Sequence, residues 1–335
     1  MAVDEGRRKF LRALTGIPIA GGLAALGVGP AFPGPPPSKP SAPSGPVVAS
    51  CRKEGLLNAR GEMDPGKLDA VLGGALARAV GEETPVEVMR RLFRPADVVG
   101  IKMNCIAGRG LSPSPLLAAR LCDWLQEAGV PARNIVLWDR TDRELAAAGF
   151  EISRSGSGVR CMGTEGDYEK TPREWGPGGS CFAGLLVNDL TALINVGVLK
   201  DHDLAGVSIG MKNWYGAIHN PNKHHAEGCA PFIPHLAAHP LIHDRLRLTV
   251  IDASTIQFQG GPARNPKWSR LWNGVLASTD PVALDAVGWR LIEKHRKEAG
   301  LNPLAREKRE PIWIAAAGRM GLGQADPAKI KVEEL

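Results

Sequence analysis

Residues 194–225 read INVGVLKDHDLAGVSIGMKNWYGAIHNPNKHH, and how this stretch is parsed decides the fold. The apolar run from Ala192 to Leu199 is short and partly β-branched, and it ends at Lys200, Asp201 and His202. That is the signature of a buried strand whose carboxyl end is polar. A glycine-spaced segment carrying Lys212 and Asn213 follows, and then a turn-rich Asn220-Pro221-Asn222 leading into His224 and His225. A strand, a tight loop and a helix are therefore expected to deliver polar groups to one place.

Working outward, the same pattern recurs. Asp97–Met103 reads as a strand ending at Lys102 and Asn104, Asn134–Trp138 as one ending at Asp139 and Arg140, and Leu246–Ile251 as one ending at Asp252. Gly274–Ala277 reads as a strand ending at Asp280. Between them, helical spacing is expected over Asp64–Val80, Pro115–Ala128, Arg143–Ala148, Phe232–His243, Pro281–Glu298 and Pro311–Arg319. Strands alternating with helices predict an α/β fold, a mostly parallel sheet flanked by helices. Glu151–Ser180, rich in glycine and charge, breaks the rhythm and is expected to be an irregular insertion or small subdomain, with one strand at Val159–Met162.

The leader has a different character. Arg7 and Arg8 precede a weakly apolar, glycine-containing segment, Ala13–Val28, which resembles a twin-arginine export signal and implies the twin-arginine translocase as a partner and a periplasmic or extracytoplasmic destination. An uncleaved signal would leave the chain tethered to the membrane. A proline-rich tether over residues 31–46 follows, so the folded domain is expected over residues 47–335. Cys51 ends a lipoprotein-box-like Val-Ala-Ser-Cys, but it lies far beyond the apolar segment, which speaks against lipidation.

Composition fits a folded domain, with 44% apolar and 23% charged residues in 335. The net charge of +6 divides evenly, since residues 1–50 hold five Lys/Arg against two Asp/Glu. No basic run remains to track a nucleic acid. The six cysteines are scattered without a C-x-x-C pair, so iron–sulfur and structural zinc sites have no spacing to support them, and buried free thiols are expected. No P-loop, G-x-G-x-x-G, G-x-S-x-G or H-E-x-x-H is present, so nucleotide cofactors and the standard hydrolase elbows are not expected.

In an open parallel sheet, ligands bind outside the carboxyl ends of the strands. The expected catalytic groups there are Lys102, Lys200, His202, Lys212 and Asp252, with Asn104, Arg140 and Asn213 binding substrate. Converging lysines favour a small carboxylate or phosphate. Seven of the eight histidines lie between His202 and His243, and with strand-end carboxylates they would suit a divalent metal held among His202, Asp139, Asp252, Asp280, His219, His224 and His225. Each element also has a structural alternative: a buried Lys–Asp network, solvated turn histidines at His224 and His225, and an N-cap at Asp280.

The blocks IKMN, INVGVLKDH, IGMKNWYGAIHN, TVIDAS, GGP and ASTDPVALDAVG, with a closing AAAGRMGLG, follow one another in the order of the bacterial and archaeal family known as domain of unknown function 362, and the chain resembles that family from about Asp97 onward. The resemblance implies an α/β fold and a polar pool of Lys102, Asn104, Lys200, His202, Lys212, Asn213, Asp252, Asp280 and Asp285. Some relatives carry a ferredoxin-like module with clustered cysteines, which this chain lacks. The expected function is an exported enzyme acting on a small anion by acid–base chemistry, with a metal assisting. The alternative is a non-catalytic periplasmic protein that binds a metal, an anion or a redox partner.

Overall fold

The computed structural model describes residues 46–335 other than Ala59. The expected export segment and most of the proline-rich tether lie outside the described residues. Among the described residues eleven strands are formed: β1 (Val47–Arg52), β2 (Val99–Lys102), β3 (Ile135–Asp139), β4 (Arg160–Gly163), β5 (Arg173–Trp175), β6 (Gly178–Ser180), β7 (Ala192–His202), β8 (Gly206–Ser208), β9 (Leu246–Gln257), β10 (Ser269–Ser278) and β11 (Lys331–Glu334). The α-helices are α1 (Pro65–Val80), α2 (Pro85–Leu92), α3 (Pro115–Glu127), α4 (Asp142–Ala148), α5 (Gly184–Asn188), α6 (Phe232–Ala237), α7 (Pro240–His243), α8 (Pro281–Glu298) and α9 (Ile312–Arg319).

Nine strands make one mixed sheet in the order β11-β1-β10-β9-β7-β2-β3-β4, with β8 folded back on β7. The run β9-β7-β2-β3-β4 is parallel throughout. Successive strand residues alternate between two cores: Val136, Trp138 and Leu193 belong to one, Ile135, Leu137 and Ile194 to the other. That two-sided burial explains why these strands read as continuous apolar runs instead of alternating ones. Helices α1, α2 and α3 cover one face and α8 and α9 the other, giving an α/β architecture of three layers.

Helix starts follow from local chemistry. Asp64 accepts from the Lys67 amide, Thr84 and Glu87 form a capping box, and Asp280 accepts from Val282 and Ala283, each ahead of a proline in the first turn. The short α2 was not expected from the apolar pattern.

Several boundaries differ from the sequence reading. Strand β7 continues through Lys200 to His202, because β8 pairs back with it and satisfies its edge. The helical stretch expected over Phe232–His243 breaks at His239, which is extended and caps α7 ahead of Pro240. Most consequential, β10 runs antiparallel to β9, so its carboxyl end lies at the opposite edge from those of the parallel strands. The insertion over 151–180 contains β4 and a small β5–β6 hairpin. Among the described residues no helix is long and apolar enough to cross a membrane.

Candidate functional site

The chain runs from β2 through β3 to β4 on one side, then returns so that β7 lies on the other side of β2. The carboxyl ends of β2 and β7 therefore part at a topological switch point, where a crevice is forced open. A cavity of about 340 Å³ lies there. Lys102, Asn104, Asp139, Arg140, Lys200, His202, Lys212, Asn213 and His225 all line it. Nine residues singled out from the sequence thus meet in one place.

Lys102, at the end of β2, is fully buried and saturated: its Nζ donates to Asp139 Oδ1 at 2.5 Å, the Met103 carbonyl at 2.6 Å and Asn213 Oδ1 at 3.2 Å. Asp139 also accepts from the Cys105 and Arg140 amides. All of these bonds tie β2, β3 and the 3-10 turn over Met211–Ala217 together, so Lys102 and Asp139 build the floor of the site. Gly216 approaches this pair so closely that a Cβ there would stand 2.6 Å from Lys102 Nζ. Arg140 pairs with Glu144 at the cavity wall.

The 3-10 turn is anchored from below. Asp285, buried in α8, accepts from the Gly210 amide at 2.6 Å and the Met211 amide at 2.9 Å. Burial raises its pKa to about 7 against those two bonds. Asn213 Nδ2 donates to Asn195 Oδ1 at 2.8 Å, and Asn195 in turn donates to the Gly210 carbonyl at 2.9 Å. The backbone that carries Lys212 is thereby fixed.

With Lys102 and Arg140 paired, Lys200 and Lys212 are left without a carboxylate hydrogen bond. Lys200 Nζ donates to Asn104 Oδ1 at 3.3 Å, leaving the Asn104 amide donors for a ligand. Burial lowers its pKa to about 8. Lys212 Nζ lies 3.2 Å from His225 Nε2 and 3.7 Å from the Tyr215 ring centroid. Burial, and then the charge of Lys200, lower it to about 7.

Hydrogen bonds assign the tautomers of the two histidines. His202 Nδ1 accepts from the Leu204 and Ala205 amides, both at 3.2 Å, so the ring proton is on Nε2. Burial and Lys212 push its pKa down to about 2, so the 3.1 Å approach of Asp203 to Nδ1 is not an ion pair. His225 is the reverse: Nδ1 faces the Asn222 carbonyl at 3.2 Å and must donate to it, which leaves the Nε2 lone pair toward Lys212. The two rings stack with centroids 5.5 Å apart. One offers a proton and the other takes one.

Four of the expected residues lie elsewhere. Asp252 sits within β9, not at its end, and accepts from the Ser114 and Ser254 amides beside a second cavity of about 200 Å³. Asp280 caps α8 and also accepts from the Gln324 amide, away from the site because β10 is antiparallel. The His219 ring packs on Tyr168, and that of His224 on Trp175 and Phe232. Among the described residues no group of three or more His, Cys, Asp or Glu side chains is arranged to hold a metal ion. With His202 Nδ1 occupied by amides and His225 Nε2 facing an amine, the residues present do not fit the expected metal.

Comparison with protein families finds a match over residues 99–290 to the family described as Domain of unknown function (DUF362). The chain belongs to the DUF362 family. The matched span contains every cavity-lining residue named above. Comparisons with curated proteins and with solved structures find no match.

In this DUF362 chain Tyr215, which from the sequence reads as core packing more than as a ligand contact, lies with its ring against Lys212, and the apolar rim of Ile106, Leu204, Pro221 and Pro262 was not among the expected site residues. Tyr215 stands three residues from Lys212 on the same turn, a spacing that suggests contact once the turn is known to be 3-10. The insertion over 151–180 contributes nothing to the cavity lining.

Proposed function

We propose that the cavity is the active site of an enzyme that binds a small anionic substrate, a carboxylate or phosphate, and acts on it by acid–base chemistry without needing a bound metal. One observation carries this reading: Lys200 and Lys212 are both buried at one crevice, and each lacks a carboxylate hydrogen bond there. A buried structural cation is ordinarily paired, whereas an unpaired one leaves room for a ligand's negative charge. Asn104 and His202 Nε2 add neutral donors, and His225 Nε2 supplies a base. The twin arginines of the leader support export, with the anion met outside the cytoplasm.

Isothermal titration calorimetry with acetate, pentanoate, inorganic phosphate and phenyl phosphate tests the anion site. At least one of these should bind with one-to-one stoichiometry, and Lys200→Gln or Lys212→Gln should weaken it about tenfold or more, the loss of a charge-assisted bond of roughly 1.5–3 kcal/mol. Binding that both variants leave unchanged would refute the reading.

A further inference from the structure

We propose that Lys212 is an amine nucleophile that forms an imine with the carbonyl carbon of a 2-oxo acid bearing an apolar side chain. The inference rests on the anion-site reading above and narrows it to a substrate class.

The two unpaired lysines differ in what surrounds them. Lys200 also lines the cavity, but it is fully buried and its Nζ donates to Asn104 Oδ1, which suits it to hold a ligand's charge together with Asn104. Lys212 opens on the cavity, and its nearest polar neighbour is the lone pair of His225 Nε2 at 3.2 Å, an acceptor for its proton. An amine beside a second cation in an apolar, aromatic-walled pocket is the environment that keeps lysine unprotonated and nucleophilic. Burial of Lys212 supplies the desolvation and Lys200 the cation; the lowering of Lys212 to about 7 agrees.

The electrophile needs a polarising donor, an anion site and space. His202 Nε2–H, fixed by the amides on Nδ1, is a neutral donor for a carbonyl oxygen. The amide donors of Asn104, backed by Lys200, take a carboxylate. At the mouth, Ile106 and Leu204 are 49% and 51% exposed, large apolar side chains held in water beside a polar floor, and they suit an apolar substituent.

The step balances within these groups. The Lys212 Nζ lone pair attacks the carbonyl carbon, the C–N bond forms, and the carbonyl π pair moves to oxygen under the hydrogen bond from His202. One N–H proton passes through His225 Nε2 to that oxygen, giving the carbinolamine. The second N–H proton follows the same path, the C–O bond breaks with release of water, and the nitrogen lone pair closes the C=N bond. No other reactant is required.

Borohydride reduction of the full-length protein in the presence of 2-oxopentanoate, followed by peptide mass spectrometry, tests this on the wild type. The expected result is one reduced adduct per chain, on Lys212, with Lys212→Arg unlabelled and His225→Ala labelled at least tenfold more slowly. Adducts confined to exposed lysines, or on Lys200 in place of Lys212, would overturn the inference. Calorimetry with pentanoate, which has the anion and the apolar chain but no carbonyl, separates the two proposals. Pentanoate binding without any adduct from 2-oxopentanoate refutes the imine and leaves the anion site standing, whereas loss of both refutes the two together.

Discussion

At the residue scale, lysines in one crevice do different work according to what each can donate to. Lys102 gives its protons to Asp139, Met103 and Asn213, and is a structural cation. Removing it leaves Asp139 buried with an uncompensated charge. Lys102→Met should therefore cost about 3–5 kcal/mol in urea unfolding, while Lys102→Met with Asp139→Asn should recover part of that loss; a double variant no more stable than the single one would contradict the pairing. Sequence alone placed Lys102 and Lys200 at strand ends, because the apolar runs preceding them are unmistakable, and brought Lys212 to the same edge. It could not tell the saturated lysine from the free ones, since the distinguishing partners come from 37 and 111 residues away. The histidines show the same limit. His224 and His225 are adjacent in sequence, yet one packs on Trp175 and the other faces Lys212.

At the element scale, α8 carries two aspartates with opposite fates. Asp280 is its N-cap, and Asp285, less than two turns on, faces the 3-10 turn and holds the Gly210 and Met211 amides. Asp280→Ala should lower stability by about 1 kcal/mol and leave pentanoate affinity within twofold. Asp285→Asn, which retains one acceptor oxygen but turns the other group into a donor against an amide, should weaken the anion site at least fivefold by releasing Lys212 from its position. Calorimetry on the two folded variants checks the contrast; equal effects on affinity would mean that Asp285 does not position the turn. The cap was legible from Asp-Pro at the helix start. The anchor was not, because a carboxylate aimed into a core looks the same in sequence as one on a surface. The end of β7 is held by another long-range cluster, in which Arg309 bonds both Asp201 Oδ1 and the His202 carbonyl, and Asp201 accepts from the Gly261 amide.

At the scale of the whole molecule, strand order decides which polar ends become a site. The strands β9, β7, β2 and β3 were legible, because each holds a buried, mainly apolar run, whereas β4, which begins at Arg160 and is only partly buried, was expected within an irregular insertion. The reversal of β10 was not legible, since a short apolar run has no direction. That reversal sends Asp280 to the far edge, and the extension of β9 past Asp252 removes that residue too. What remains at the switch point is an excess of positive charge on buried side chains, and it has a global consequence. Lys212 titrates at about 7 folded against 10.5 for the unpaired group, and Lys200 at about 8. Between these limits the unfolded chain binds more protons than the native one, so stability attributable to the two lysines rises as pH rises from 7 to 10.5 and is lost as pH falls through the folded values. Asp285 acts with the opposite sign at lower pH: its folded value of about 7 lies above 3.8, so its contribution falls as pH rises between those two values. Thermal melts of wild type and of a Lys200→Met, Lys212→Met double variant, taken at intervals from pH 7 to 10, should diverge most at pH 7, where the wild type bears the cost of charging both amines, and converge toward pH 10. Parallel curves over that interval would mean that the lysines are charged and satisfied in the folded protein, and both the anion site and the nucleophilic amine would lose their physical basis.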